Sequence, residues 1–331
     1  MVIISKEYSM KRILVTTAAM IFAVGLLAAE DGLSLSGGVY TGAKATFDDS
    51  GNKIELYNSA KQKASRIDLN VDYTVENVGA SIKLRAQGLE LSSIAFTGSA
   101  GFYYAYGFAN LFNNMFTVKA GIVDDGSWTT LGDMGMDFVC ENPGMQLQIK
   151  PIAGLNVGTF ITTPTESASI SKDIVSFGAS YALENTFSIQ AGYALSGNAY
   201  AGFSIDAVKG LTFIGEGTFL TLYETPAYTL SETLGYAFTQ SFSADCLFYQ
   251  YLTDSYYSFE PAVHYLVNDT VKTSLAGGYT LYTTEGSTNT WYIKPYVDFV
   301  LGKGASTTVY YKAISDASYH NVVGIDFAWK F

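Results

Sequence analysis

The residues able to do chemistry in this sequence are charged groups set at alternate positions, and the chemistry open to them is electrostatic. Lys44, Arg66, Lys83, Arg85, Lys119 and Lys150 fall in the first half of the chain, Asp206, Glu216, Asp245 and Glu260 in the second. Between the two sets, Asp124, Asp125, Asp133, Asp137 and Glu141 crowd residues 124–143, a stretch with no Lys or Arg. Opposite charges facing each other between low-dielectric walls set up a transverse field that orients dipolar solutes and screens ions. Local pairing, for instance of Arg66 with Asp68, would cancel part of it. Covalent chemistry has little to work with. His264, near Glu260, and His320, beside a loop, are the only histidines, and no Gly-x-Ser-x-Gly elbow, metal cluster or Cys pair at ligand spacing occurs. No catalytic residue, metal site or cofactor is therefore expected.

The elements that must carry these charges are strands. In residues 67–75, Ile67, Leu69, Val71, Tyr73 and Val75 share one face, while Arg66, Asp68, Asn70, Asp72 and Thr74 share the other. Residues 78–87 repeat the alternation, with Lys83 and Arg85 on the polar face. So do residues 187–196, and residues 291–299 with Tyr292, Lys294, Tyr296 and Asp298. A sandwich core would not tolerate unpaired Lys and Asp in mid-strand. They fit a water-filled lumen behind a lipid-facing apolar band.

Short and long breaks alternate between the strands. Tight turns are expected at 76–77, 111–114, 151–154, 184–186, 209–210, 239–241, 268–269 and 302–304. Longer loops are expected at 47–63, 88–99, 124–143, 163–172, 222–228, 252–256, 283–288 and 315–317, with a tight break at 196–197 as the exception. Eight short turns imply nine hairpins. The fold class is an all-β antiparallel transmembrane barrel of 16–18 strands, eighteen preferred, with both termini on the periplasmic, short-turn side.

The beginning of the chain reads as an export signal. Met10-Lys11-Arg12 is basic, Ile13 to Leu27 is apolar, and Leu27-Ala28-Ala29 is a small-residue cleavage site. Residues 1–29 are thus expected to be a signal peptide and 30–331 a single barrel domain. Removing 1–29 takes away Lys6, Lys11, Arg12 and Glu7, which leaves 16 basic and 29 acidic residues and a net charge of −13. Such a polyanion does not bind nucleic acid by neutralising phosphates. Whether Cys140 and Cys246 pair stays open.

The chain ends in Val-Val-Gly-Ile-Asp-Phe-Ala-Trp-Lys-Phe, with Val323, Ile325, Phe327, Trp329 and Phe331 on one apolar face. Here the sequence resembles bacterial outer-membrane β-barrels of the porin type, whose last strand ends in an aromatic residue after alternating apolar ones. The resemblance implies a Gram-negative-type envelope, outer-membrane lipid around the barrel, and recognition of this strand by the barrel-assembly machinery. It also implies that the third long loop, 124–143, folds into the barrel and narrows it, with Trp128, Leu131, Met134, Met136 and Phe138 available to pack against the wall. A homotrimer is one assembly the resemblance admits.

Sixteen to eighteen strands at about 4.8 Å spacing and about 40° tilt give a radius of roughly 16–18 Å, too wide for side chains to fill. The first strand starts at Leu33, which leaves no room for an amino-terminal plug. The expected function is a pore for passive diffusion of small hydrophilic solutes, with the net negative charge favouring cations. A surface adhesin or host-interaction barrel and a fatty-acid-type transporter are the alternatives.

Overall fold

The computed structural model describes residues 32–49, 51–58, 65–87, 89–90, 95–96, 100–123, 128, 131, 143–162, 175–221, 226–253, 255–315 and 321–331. The expected signal peptide, the acids of residues 124–143, Cys140 and His320 lie outside the described residues. The strands begin with β1 (Leu33–Asp48), β2 (Gly51–Leu56), β3 (Arg66–Val75), β4 (Val78–Gln87), and the short pair β5 (Leu89–Glu90) and β6 (Ala95–Phe96). Next come β7 (Ala100–Leu111), β8 (Phe116–Ile122), β9 (Pro143–Ile149), β10 (Leu155–Thr162), β11 (Val175–Leu183), β12 (Phe187–Ala194), β13 (Ala199–Ile205) and β14 (Leu211–Leu220). The last are β15 (Ala227–Ala237), β16 (Phe242–Tyr251), β17 (Tyr256–Asn268), β18 (Val271–Tyr282), β19 (Thr290–Gly302), β20 (Ala305–Ile314) and β21 (Asn321–Lys330).

Each wall strand pairs antiparallel with the next, and β21 pairs back onto β1 from Gly38↔Lys330 to Phe47↔Asn321. The result is a closed barrel of eighteen wall strands among the described residues. At the turn end the closure continues past the last strand, where the Gly37 amide donates to the Phe331 carbonyl at 3.0 Å and the Phe331 amide returns the bond at 3.2 Å. A Cβ on Gly37 would meet the Phe331 ring at 2.8 Å, so the ring needs this glycine to lie where it does.

Three loops differ in detail from the sequence expectation. The segment 47–63 contains β2, which folds straight back on β1 from Asp48↔Gly51 to Ala43↔Leu56. β3 then resumes on the same edge from Tyr40↔Arg66. β2 and β3 thus lie along the same edge of β1, with the break in the wall between Leu56 and Arg66. Residues 88–99 hold the small β5–β6 hairpin. β16 ends at Tyr251 and β17 begins at Tyr256, so little chain separates them.

The wall is turned inside out relative to a soluble protein. Along β15, Tyr228, Leu230, Leu234 and Tyr236 are 40–50% exposed, while Thr229 and Ser231 between them are buried. The exposed apolar set is the outer face, since in a lumen-bearing barrel the polar side chains converge inward. Aromatic rings ring the outer face near the short turns: Tyr181–Phe187 at 5.8 Å, Phe203–Phe213 at 5.4 Å and Trp329–Phe331 at 5.2 Å. Toward the opposite end Phe219–Tyr228 lie 4.7 Å apart. From Tyr228 to Tyr236 is eight residues, about 20 Å of height at about 3.3 Å per residue and about 40° tilt. That is close to the apolar band of an outer membrane.

Not every tyrosine near a strand end joins this outer ring. A bulge between Lys83 and Leu84 opposite β7 inserts Tyr103, whose ring turns onto Arg85, with the guanidinium carbon 3.4 Å from the ring centroid. Tyr104, Tyr256 and Tyr310 share the inner parity. Tyr257 and Tyr311 point outward.

Candidate functional site

The inner face carries the charges that the alternation assigned to it. Lys44 lies on β1, where its ammonium reaches Glu55 at 2.7 Å and lies 3.8 Å above the Tyr57 ring. Arg66 and Arg85 converge on Asp68 from β3 and β4, at 2.7 and 3.0 Å, and Asp68 is only 6% exposed. Two guanidiniums thus share one carboxylate, and this group keeps a net positive charge. Lys83 lies 5.2 Å from the Tyr103 ring and Lys119 5.4 Å from that of Tyr106. Lys150 differs: it follows the end of β9, its amide bonds the Met115 carbonyl at 2.8 Å, and its side chain is exposed at the short-turn rim beside Asn113 and Asn114.

Asp68→Asn would leave Arg66 and Arg85 facing each other uncompensated. The expected cost is about 1–3 kcal/mol, below that of a dry buried pair because the lumen is wet. Urea unfolding of the folded barrel measures it, and Asp72→Asn on the same face is the control.

The acidic set lies across the ring. Glu216 on β14 is 5% exposed and accepts from the Tyr200 hydroxyl at 2.6 Å. Glu260 accepts from Tyr292 at 2.8 Å and Ser258 at 3.0 Å. Asp206, one residue past β13, accepts from Ser204 at 3.3 Å. Asp245 bonds His264 Nε2 at 2.6 Å, and His264 Nδ1 meets Ser274 Oγ at 2.8 Å. A serine, histidine and aspartate in line invite a nucleophilic reading. Yet Tyr296 also reaches Nδ1, at 3.4 Å. The amides around Ser274 lie in the β17–β18 and β18–β19 ladders, where strand pairing holds them away from a developing oxyanion. The trio reads as a polar brace across three strands.

Of residues 124–142 the structure describes Trp128 and Leu131, and both lie on the inner wall. Trp128 is 3% exposed and fills the space over Gly158 and Gly178, where a Cβ on Gly158 would meet its ring at 2.7 Å. Leu131 lies over Gly202, and its amide donates to the Tyr200 hydroxyl at 3.1 Å and to Glu216 Oε1 at 3.2 Å. Val123, where the segment leaves β8, packs with Phe160 and Tyr106 in an apolar patch on the same inner surface. Missing side chains at Gly158, Gly178 and Gly202 create the groove, and the Glu216–Tyr200 pair pins the backbone above it. The sequence shows these glycines at inner-parity positions, but not that one loop covers all three.

Sequence reasoning also left Lys312 aside, and placed Lys294 on the polar face without a role. Lys294 stands 4.7 Å from the Tyr310 ring and Lys312 4.0 Å from the Tyr292 ring. They share a recess of about 530 Å³ with Lys44 and Lys53. Parity alone could have found Lys312, between the outward Tyr311 and Ala313. Its meeting with Lys44 across the closure could not be read.

This architecture has solved counterparts. Pseudomonas aeruginosa OpdQ superposes with a TM-score of 0.59 at 12% identity, over 91% of this chain and 97% of that one. P. aeruginosa OccK2 (OpdF), solved in complex with glucuronate, gives 0.59 at 12% identity over 90% and 98%. A mutant porin of Rh. blastica gives 0.54 at 14% identity over 90% and 100%. The chain has the porin barrel fold. No protein-family model matches the chain, and no curated protein matches it. At this identity the likeness establishes the fold alone.

Proposed function

We propose that the chain forms a water-filled outer-membrane pore for passive diffusion of small hydrophilic solutes, narrowed by the segment 124–143. The observation that carries this reading is the docking of Trp128 and Leu131 on the inner face of an eighteen-strand wall. A ring of that size has a radius of roughly 18 Å and stays open unless something folds into it. Asp124, Asp125, Asp133, Asp137 and Glu141 then bring negative charge into the lumen opposite the Arg66, Lys83, Arg85 and Lys119 side of the wall. With the net −13 of the chain after residue 29, the pore prefers cations weakly. Reversal potentials across bilayers holding refolded protein in a KCl gradient are expected to show that preference. Clear anion selectivity would overturn it, and the absence of conductance would overturn the pore.

The same reading carries the export route. Residues 1–29 are removed, both ends of the barrel face the periplasm, and Val323, Ile325, Phe327, Trp329 and Phe331 serve as the assembly signal. A homotrimer is supported by one spot on the outer face. Ala179, Ala191, Ala201 and Gly217 form a single cross-strand row of small residues. Close by, Glu232 breaks the apolar outer face of β15 at mid-height. Small residues let backbones approach, and a carboxylate facing lipid is costly unless a neighbour covers it. Unheated gel migration and light scattering in mild detergent check the trimer.

A further inference from the structure

The closure of the barrel holds a cluster of lysines. The β19–β20 register that pairs Ile293 with Ala313 and Tyr296 with Tyr310 sets Lys294 opposite Lys312. Like charges directly opposite on neighbouring strands repel. Among the described residues neither ammonium is in an ion pair. Tyrosine rings hold both stems, and Lys44 joins them from the far side of β21. Gly324, on the strand between them, pairs with both Lys44 and Tyr310, and the Tyr310 ring occupies the space its missing side chain leaves. The recess has four lysines among its lining residues against two carboxylates, Asp48 and Glu55, with Glu55 already bound to Lys44; from the same inner face Asp326 and Asp298 act on Lys294 and Glu260 on Lys312.

We infer that Lys44, Lys294 and Lys312, with the tyrosines beside them, form a station on the inner wall for the phosphate group of a small solute. Four lysines and no arginine line the recess. A lysine is a compact point charge that serves as a phosphate binder, and a dianion gains more from several of them than a monocarboxylate does. A phosphate would relieve the Lys294–Lys312 repulsion, and a recess of about 530 Å³ has room for a phosphorylated sugar. That the station meets solutes in transit rests on the pore reading; that it binds phosphate does not.

The test is calorimetric titration of the full folded chain in detergent with inorganic phosphate, glucose 6-phosphate and gluconate at matched ionic strength. Both phosphates are expected to bind, and gluconate about tenfold or more weaker. Lys294→Gln and Lys312→Gln should each lower phosphate affinity about tenfold, and Lys209→Gln in a distant turn should not. In phosphate-free buffer Lys312→Gln should unfold at a higher urea concentration than the parent chain, because it removes the repulsion. No phosphate binding, equal binding of gluconate, or binding unchanged in the double Lys294→Gln, Lys312→Gln variant overturns the station. Conductance of the same preparation is read separately. Phosphate binding without conductance would keep the station and remove the pore.

Discussion

Trp128→Ala is expected to raise single-channel conductance by about half or more while the barrel stays folded. The indole covers Gly158 and Gly178, and beside it Leu131 is pinned to Tyr200 and Glu216. Removing a buried indole costs about 3–5 kcal/mol of packing in a dry core. Here the groove faces water, so roughly half of that is lost, and it is lost from loop docking rather than from the wall. The wall is held by its own ladders, so unfolding in urea should move little. Glu216→Ala should act in the same direction more weakly, since it leaves the Leu131 amide with Tyr200 alone. Residues 124–143 contain no Lys or Arg. Released loops should therefore be cut faster by an acid-specific protease and remain resistant to trypsin. Unchanged conductance in Trp128→Ala would show that the segment does not narrow the pore.

Val263→Arg is expected to destabilise the barrel by about 2–4 kcal/mol in a bilayer, because its side chain lies on the outer face near mid-height. Ala262→Arg, one residue earlier, should change stability by no more than about 0.5 kcal/mol. Ala262 is on the inner face directly opposite Asp245, whose side chain is 45% exposed to the lumen. The pair places the same charge at nearly the same height on either side of one strand. Equal costs in unfolding experiments with lipid vesicles would mean that the two faces are not lipid and water.

How much of this was legible in the sequence depends on the range of the interaction involved. Alternation is a property of a single strand, so residues 67–75 and 291–299 declared their polar and apolar faces without any partner. Turn positions are equally local. The tight turns at 76–77, 184–186 and 209–210 recur in the structure, and so does the unexpected tight break at 196–197. With β9 and β15 formed, the count of wall strands among the described residues is eighteen, the upper end of the expected 16–18. Within 47–63, the alternation of β2 covers only Lys53, Ile54, Glu55 and Leu56, too short a run to stand out from a loop.

The sequence by itself thus determined the class of fold, the inner and outer faces, and the strand that closes the ring, since these follow from a two-residue period and a terminal aromatic. Tertiary structure alone decided what the charges do. Arg66 and Arg85 share Asp68 because β3 and β4 hold them in register. Lys44 lines the same recess as Lys294 and Lys312 because the two ends of the chain, some 250 residues apart, become neighbours across β21. Trp128 finds Gly158 and Gly178 because a wide closed ring leaves an inner surface for a loop to cover. Alternation fixes on which side of a strand a side chain lies, and only closure fixes what it faces there.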